Sequence, residues 1–260
     1  MLTLALPVGA VERSDIPESW GIGTLGLQAT EWRVATHGTE RGLMLAMRTA
    51  SVSETPSSSG KGSQFLALGG GEGGFQAEYL NRFAYGFRFL RFGPSAFVMR
   101  GGLNFDIIGT PHGGTYQLGP LLDLGFQHLS QVGFFDLSLQ SVVTLLPAVF
   151  SNDSSKHPGE WFSTGPHLAA GFRSVYFDGN IARTERNGYL RTEFHIDVCG
   201  SSKITLCARL HSFHYDDAHK PTTMIGLMIG IGDSGHHAKS SRSPRTLPQP
   251  QGPSSRQPIQ

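Results

Sequence analysis

The chain has 260 residues, enough to bury a substantial core in one domain or two small ones. Hydrophobic residues make up 38%, charged residues only 16%, and 34 residues are glycine, a mixture too uncharged for a disordered chain and too glycine-rich for a helical bundle. A net charge of +1 offers no broad electrostatic footprint for nucleic acid, and no apolar run reaches the ~18 residues of a transmembrane helix.

The first residues are apolar and end in Val8-Gly9-Ala10, small residues at the places a signal peptidase reads, but no basic n-region precedes them. They read either as a signal-peptide remnant or as an ordinary N-terminal strand, and residues 1–19 form a lead-in. Candidate strands follow at Trp20–Thr36, Gly42–Thr49 and Gln64–Leu68. Between the last two, the Ser/Gly-rich stretch Ser51–Ser63 reads as an exposed loop. Gly69-Gly-Gly-Glu-Gly-Gly74 lacks the Lys-Ser/Thr and the strand–helix context of a phosphate loop, and reads as a flexible turn.

The next strand, Gln76–Arg91, carries Phe83, Tyr85, Phe87 and Phe89, with Phe92 just beyond, interleaved with Arg82, Arg88 and Arg91. Basic residues among aromatics can stack nucleic acid. The same composition is an interfacial girdle with snorkelling arginines on a membrane barrel, and the neutral net charge favours the girdle.

From Ser95 onward the pattern has period two. In Ser95–Ile108, Phe97, Met99, Leu103, Phe105 and Ile107 share one parity, and Arg100, Gly102, Asn104 and Asp106 share the other. Thr115–Leu129 sets Leu118, Leu122, Leu124 and Phe126 against Gln117, Asp123 and Gln127. Val132–Leu146 sets Phe135, Leu137 and Leu139 against Asp136, Ser138 and Gln140. After a loop at Ser151–Gly159 and a strand at Trp161–Phe177, Gly188–Cys199 sets Leu190, Phe194, Ile196 and Val198 against Arg191, Glu193, His195, Asp197 and Cys199. Lys203–Tyr215 sets Ile204, Leu206 and Leu210 against Thr205, Cys207, Arg209 and His211. Thr223–Ile231 is the last strand, and residues 234–260 are a disordered Ser/Pro/Gln-rich tail.

These strands reach the ~9–11 residues that a tilted strand needs to cross a bilayer. Helical periodicity is absent, so an antiparallel up-and-down meander over residues 20–233 is the simplest topology. A three-residue loop at Gly200-Ser201-Ser202 sets Asp197 opposite Thr205, His195 opposite Cys207 and Glu193 opposite the complementary Arg209. Eleven segments are candidates, and bacterial barrels have even counts, so about ten strands are expected within a range of eight to twelve. Closure removes the exposed edges. The apolar parity then faces either lipid, around a polar lumen, or the core of a soluble barrel. The polar parity mixes glycine with Asp, Arg, His and Gln and is poor in Lys, which suits a narrow lumen better than a water-facing surface.

The alternating segments, with three Gly-Pro pairs at Gly93-Pro94, Gly119-Pro120 and Gly165-Pro166 read as starting strands on one rim, make the chain similar to the small bacterial outer-membrane β-barrel proteins. That resemblance implies a barrel with its apolar face outward, membrane lipid as partner and a location in the bacterial outer membrane; a periplasmic or secreted location is the alternative. The chain departs from the family in ending on a polar tail instead of an aromatic-terminated strand, and in lacking a full leader. The lumen-facing candidates are Arg100, Asn104, Asp106, Asp123, Gln127, Asp136, Gln140, Arg191, Glu193, His195, Asp197, Arg209 and His211.

No cofactor or metal is expected, because Cys199, Cys207 and the histidines lack the spacing of a metal site. In the register above the two cysteines are not opposed, which favours free thiols. His214, Asp216, Asp217 and His219 read as a strand end entering a polar loop, and His236-His237 as solvated. No Gly-x-Ser-x-Gly elbow occurs. The expected function is therefore a non-enzymatic outer-membrane barrel of structural, surface-exposed or narrow-pore (porin-like) role, with membrane lipid, and a small solute or surface ligand, as partners and no nucleic acid. Two alternatives stand: a soluble lipocalin-like barrel holding an apolar ligand, and an outer-membrane barrel hydrolase.

Overall fold

A computed structural model describes residues 19–34, 38–110, 113–145, 148–150, 162–186, 189–202, 204–215 and 222–236. The described residues form no helix. In chain order the strands are β1 (Ser19–Val34), β2 (Gly38–Glu54), β3 (Ser58–Gly71), β4 (Gly74–Phe92), β5 (Ser95–Thr110), β6 (Gly113–Ser130), β7 (Gly133–Val143), β8 (Ala148–Phe150), β9 (Phe162–Phe172), β10 (Val175–Arg186), β11 (Tyr189–Ser201), β12 (Thr205–Tyr215) and β13 (Thr222–His236). Each long strand pairs antiparallel with its neighbours in the chain, β7 with β9, and β13 closes on β1. The short β8 only extends the end of β6. The result is a closed meander barrel of twelve strands.

The strands are strongly tilted. A ladder row that starts at Trp20, near the beginning of β1, passes through Val52, Lys61, Ala84, Gly102, Leu121, Val142, Ser163, Thr184 and Arg191, and leaves at Tyr215, the last residue of β12. Tilt and stagger of this kind are what closure requires.

Twelve strands replace the expected ten because one of the eleven candidate segments is two strands; two others are longer than expected. The segment Trp161–Phe177 is not one strand: the chain turns at Arg173-Ser174, and Val175–Arg186 is a separate strand that the sequence did not reveal. Arg173 adopts the left-handed region at φ 52°, where a glycine would normally signal the turn, so the turn carries no sequence mark. The Ser/Gly-rich stretch is not a loop either. Ser51–Glu54 and Ser58–Ser63 extend β2 and β3, with only Thr55–Ser57 turning between them, and Thr55 binds the Ser58 hydroxyl. Small residues there sit opposite one another across the ladder, as in Ser51↔Gly62 and Ser53↔Gly60. Gly69–Gly71 likewise belong to β3, leaving Glu72-Gly73 as a tight turn.

The Gly-Pro pairs do not share a rim. Gly93 at φ 61° begins the β4–β5 turn, whereas Gly119-Pro120 and Gly165-Pro166 lie inside β6 and β9. In the β11–β12 hairpin Ser201 pairs with Thr205, so Gly200 and Ser201 stay in the ladder. Partners therefore slide by an even number of residues. Asp197 faces Arg209, His195 faces His211, Glu193 faces Phe213 and Cys199 faces Cys207. Because strand faces alternate with period two, the slide changes partners and preserves faces. β13 continues to His236, into the segment read as tail; residues 1–18 and 237–260 and the loop at 151–159 lie outside the described residues.

Candidate functional site

Successive side chains of a strand point to opposite sides, so each long strand contributes every second residue to the barrel interior. There Arg100, Asn104, Asp123, Gln127 and Asp136 are fully buried, and Asp106, Gln140, His195, Asp197, Arg209 and His211 are nearly so. Glu193 is half-buried, and the side chain of Arg191 lies outside those described.

Two carboxylates anchor one centre. Arg100 donates from Nε to Asp123 at 2.8 Å and from Nη2 to Asp136 at 2.7 Å. Lys61 comes from β3, three strands away from Asp123, and lies 2.5 Å from Asp123 and 2.9 Å from Asp136. Ser138 and Gln140 donate to the second oxygen of Asp123 at 2.9 and 3.0 Å. Ser59 donates to Gln127 and accepts from Arg100 at 3.2 Å. Paired this way, two buried cations and two buried anions offset one another's desolvation.

A second centre joins β2, β3, β4, β9, β10, β11 and β12. Arg48 pairs with Asp197 and stacks over the Tyr176 ring, while Arg209 pairs with Glu78 at 2.7 Å and lies 4.1 Å above the Phe65 ring. Tyr176 donates to Asp178 at 3.0 Å, and His167 contacts the same carboxylate at 3.1 Å. His167 also lies 3.4 Å from Lys61, which links the two centres. His211 meets Glu193 at 2.9 Å. Above them, Arg82 and Asn104 both donate to Asp106, at 2.9 and 3.1 Å.

Among the described residues, the interior is packed with side chains. Trp20, Phe134 and Tyr176 pack together, with Trp20 and Phe134 centroids 4.9 Å apart, in an apolar cluster that includes Met44, Phe65 and Met228. Cavities beside Lys61 and Asp178, and beside Asn104 and Glu193, measure about 30 and 20 Å³, room for a water molecule or two.

Sequence reading missed Lys61, Arg48, Glu78, His167, Tyr176 and Asp178 as partners. Lys61 stood in the stretch taken for a loop, and Asp178 stood on the unmarked strand. The alternation of Val175 and Phe177 with Tyr176 and Asp178 was the available signal. Arg82 does not belong to the girdle, since it turns inward to Asp106; Arg88 and Arg91 instead bind the carbonyls of Thr55 and Pro56 in the neighbouring turn.

Cys199 and Cys207 form a disulfide across the β11–β12 ladder, correcting the expectation of free thiols that followed from the misplaced turn. The denatured but unreduced protein should take up no maleimide, and should be labelled only after reduction; labelling before reduction would contradict the pairing. Among the described residues no group of three or more His, Cys, Asp or Glu is placed to hold a metal. His214 lies on β12 opposite Thr192, and Asp216, Asp217, His219 and His237 fall outside the described residues. A Ser–His contact does occur: Ser95 Oγ lies 2.9 Å from His128 Nδ1, and among the described residues no carboxylate contacts that imidazole.

No protein-family model and no curated protein matches the sequence. Among solved structures, an outer-membrane channel from Pseudomonas putida F1 superposes with a TM-score of 0.41 at 12% identity, covering 88% of this chain and 100% of that one. Outer membrane phospholipase A from Escherichia coli gives 0.42 at 12% identity, over 80% of this chain and 92% of that one. The outer membrane protein OprD from Pseudomonas aeruginosa gives 0.36 at 10% identity, over 86% and 97%. These neighbours are bacterial outer-membrane β-barrels, and this chain is likewise a closed antiparallel barrel.

Proposed function

We propose that the protein is a non-catalytic β-barrel of the bacterial outer membrane, with a structural or narrow-pore role and an interior closed by its own charge network. The observation that carries this reading is the inversion of polarity between neighbouring residues. Leu122 is 55% exposed while Asp123, next to it, is fully buried. The same holds at Met99 and Arg100, at Phe135 and Asp136, and around the barrel at Leu27, Leu45, Leu68, Leu139, Ile181, Leu206 and Leu227, all exposed. A water-soluble barrel would bury the leucines and expose the charges, so a surrounding of lipid is the environment that matches this sequence. Where the outer parity is polar at Gln64 and Asn81, both amides donate to the Tyr79 hydroxyl, at 3.1 and 3.0 Å.

Three further features agree. Phe87, Phe89, Phe92, Phe97 and Phe172 are exposed near one rim, as an interfacial aromatic belt would be. That rim also carries the short turns Thr55–Ser57, Gly93-Pro94, Gln131-Val132 and Arg173-Ser174, together with the start of β1 and the end of β13, the arrangement of a periplasmic rim. The disulfide requires an oxidising compartment such as the periplasm.

The test is expression with a complete leader, followed by membrane fractionation and gel electrophoresis with and without boiling. Recovery in the outer membrane with a heat-dependent mobility shift is expected. A soluble protein without a shift would favour the lipocalin-like alternative. The Ser95–His128 contact keeps the hydrolase alternative testable, since a serine-directed fluorophosphonate should leave the folded barrel unlabelled if no activated serine is present.

A further inference from the structure

The outer wall is not smooth. Over β6, β7, β9 and β10, near the short-turn rim, lies a cavity of about 320 Å³ walled by Phe135, Phe172, Val175 and Phe177, with Gly133 and Ala170 in its floor and His128 and Ser130 at its β6 edge. A second, of about 190 Å³, continues from Phe177 past Leu168 to Gly179, Ile181 and Ile196. The two meet at Phe177, and together they make an apolar face that follows the strands for roughly 20 Å at 3.3 Å per residue, about the depth of one membrane leaflet. Glycine on the outer parity lets the Phe177 ring fold back along the wall. Gly179 sits between Phe177 and Ile181, and a methyl group there would meet the tip of the Phe177 ring at 3.1 Å.

The rim end of this face carries a cation. Arg173 stacks 5.4 Å from the centroid of Phe172, a wall of the first cavity, and among the described residues it pairs with no carboxylate. Its φ of 52° is unfavourable for any residue with a side chain, and Gly93 occupies the same conformation in the neighbouring β4–β5 turn. An arginine kept where glycine would be more comfortable, at the rim end of an apolar face, has the charge and shape that complement a lipid.

We propose that this face is a binding site for one glycerophospholipid, whose acyl chain lies along Phe177 to Gly179 and whose phosphate is held by Arg173. The proposal rests on the lipid-facing reading of the outer wall. An arginine suits the phosphate because its planar fork offers paired donors, and its position at the aromatic rim places it at headgroup depth.

Native mass spectrometry of the full chain released from a non-ionic detergent reads the site directly. The wild-type barrel should carry one phospholipid mass. Arg173→Ser and Gly179→Phe, one removing the cation and the other filling the second cavity, should each reduce the lipid-bound fraction about tenfold. Ala208→Phe on the exposed outer parity of β12 should leave it unchanged. A Gly179→Phe barrel must keep the wild-type heat-dependent mobility shift to be scored; Ala170→Leu is the second variant with the same expected loss. Equal lipid occupancy in wild type and cavity-filled variants overturns the site, as does a lipid-free species at twice the barrel mass, which would mean that a second copy covers the face. A soluble wild-type protein with no mobility shift would instead overturn the membrane reading itself.

Discussion

Asp123→Asn is expected to destabilise the barrel by about 3–5 kcal/mol, the cost of leaving buried charge without its partner. Asp123 is fully buried and serves four groups: the Arg100 guanidinium, the Lys61 ammonium, the Ser138 hydroxyl and the Gln140 amide. Asparagine keeps the size and removes the charge, so Asp136 alone would face two cations in the interior. The measurement is the urea unfolding of barrels refolded into lipid vesicles, followed by tryptophan fluorescence. Adding Lys61→Met to Asp123→Asn should recover part of the loss, because it restores the balance of charge, and the coupling between the two changes should exceed about 1 kcal/mol. A loss below that size for Asp123→Asn would mean that the site is wet and screened, contrary to the closed interior.

Trp20→Ala is the second large effect, expected to cost about 3–5 kcal/mol through loss of contacts and the cavity left behind. Trp20 is fully buried, stacks on Tyr176 with centroids 5.8 Å apart and packs against Phe134. Its ring also lies over Gly171, where an added methyl group would meet the indole at 2.7 Å. Gly171→Val should therefore destabilise by overpacking, by about 1–3 kcal/mol. Both changes are read from the same urea titration. If Trp20→Ala unfolded at the wild-type midpoint, the apolar cluster would not be holding the short-turn half of the barrel together. The expectations for the two residues separate two kinds of interior, since Asp123 acts through charge and Trp20 through packing.

Much of this architecture is legible in the chain. The parity of Phe97 to Ile107 against Arg100 to Asp106 specifies a strand and divides its faces, because backbone pleating alone sets the period of two. Length and glycine content point to a closed meander, and the composition of the polar parity points to a narrow interior. Turns without a residue signature are not legible. Arg173 makes a left-handed turn without glycine, so β10 disappeared into its neighbour, and the serines and glycines of 51–63 look like a loop although they lie in the ladder.

By itself, then, the sequence determined which side chains share a face and that the strands close on one another, since both follow from local periodicity and from the cost of exposed edges. Only the tertiary structure decided who meets whom inside. Lys61 stands 62 positions before Asp123, and Arg48 reaches Asp197 across the barrel. The contacts between Lys61 and the β6–β7 carboxylates depend on the registers of the ladders from β3 to β7, and a slide of the β11–β12 turn that left every face unchanged was enough to bring Cys199 opposite Cys207. Face is a property of one strand, whereas partner is a property of the closed sheet.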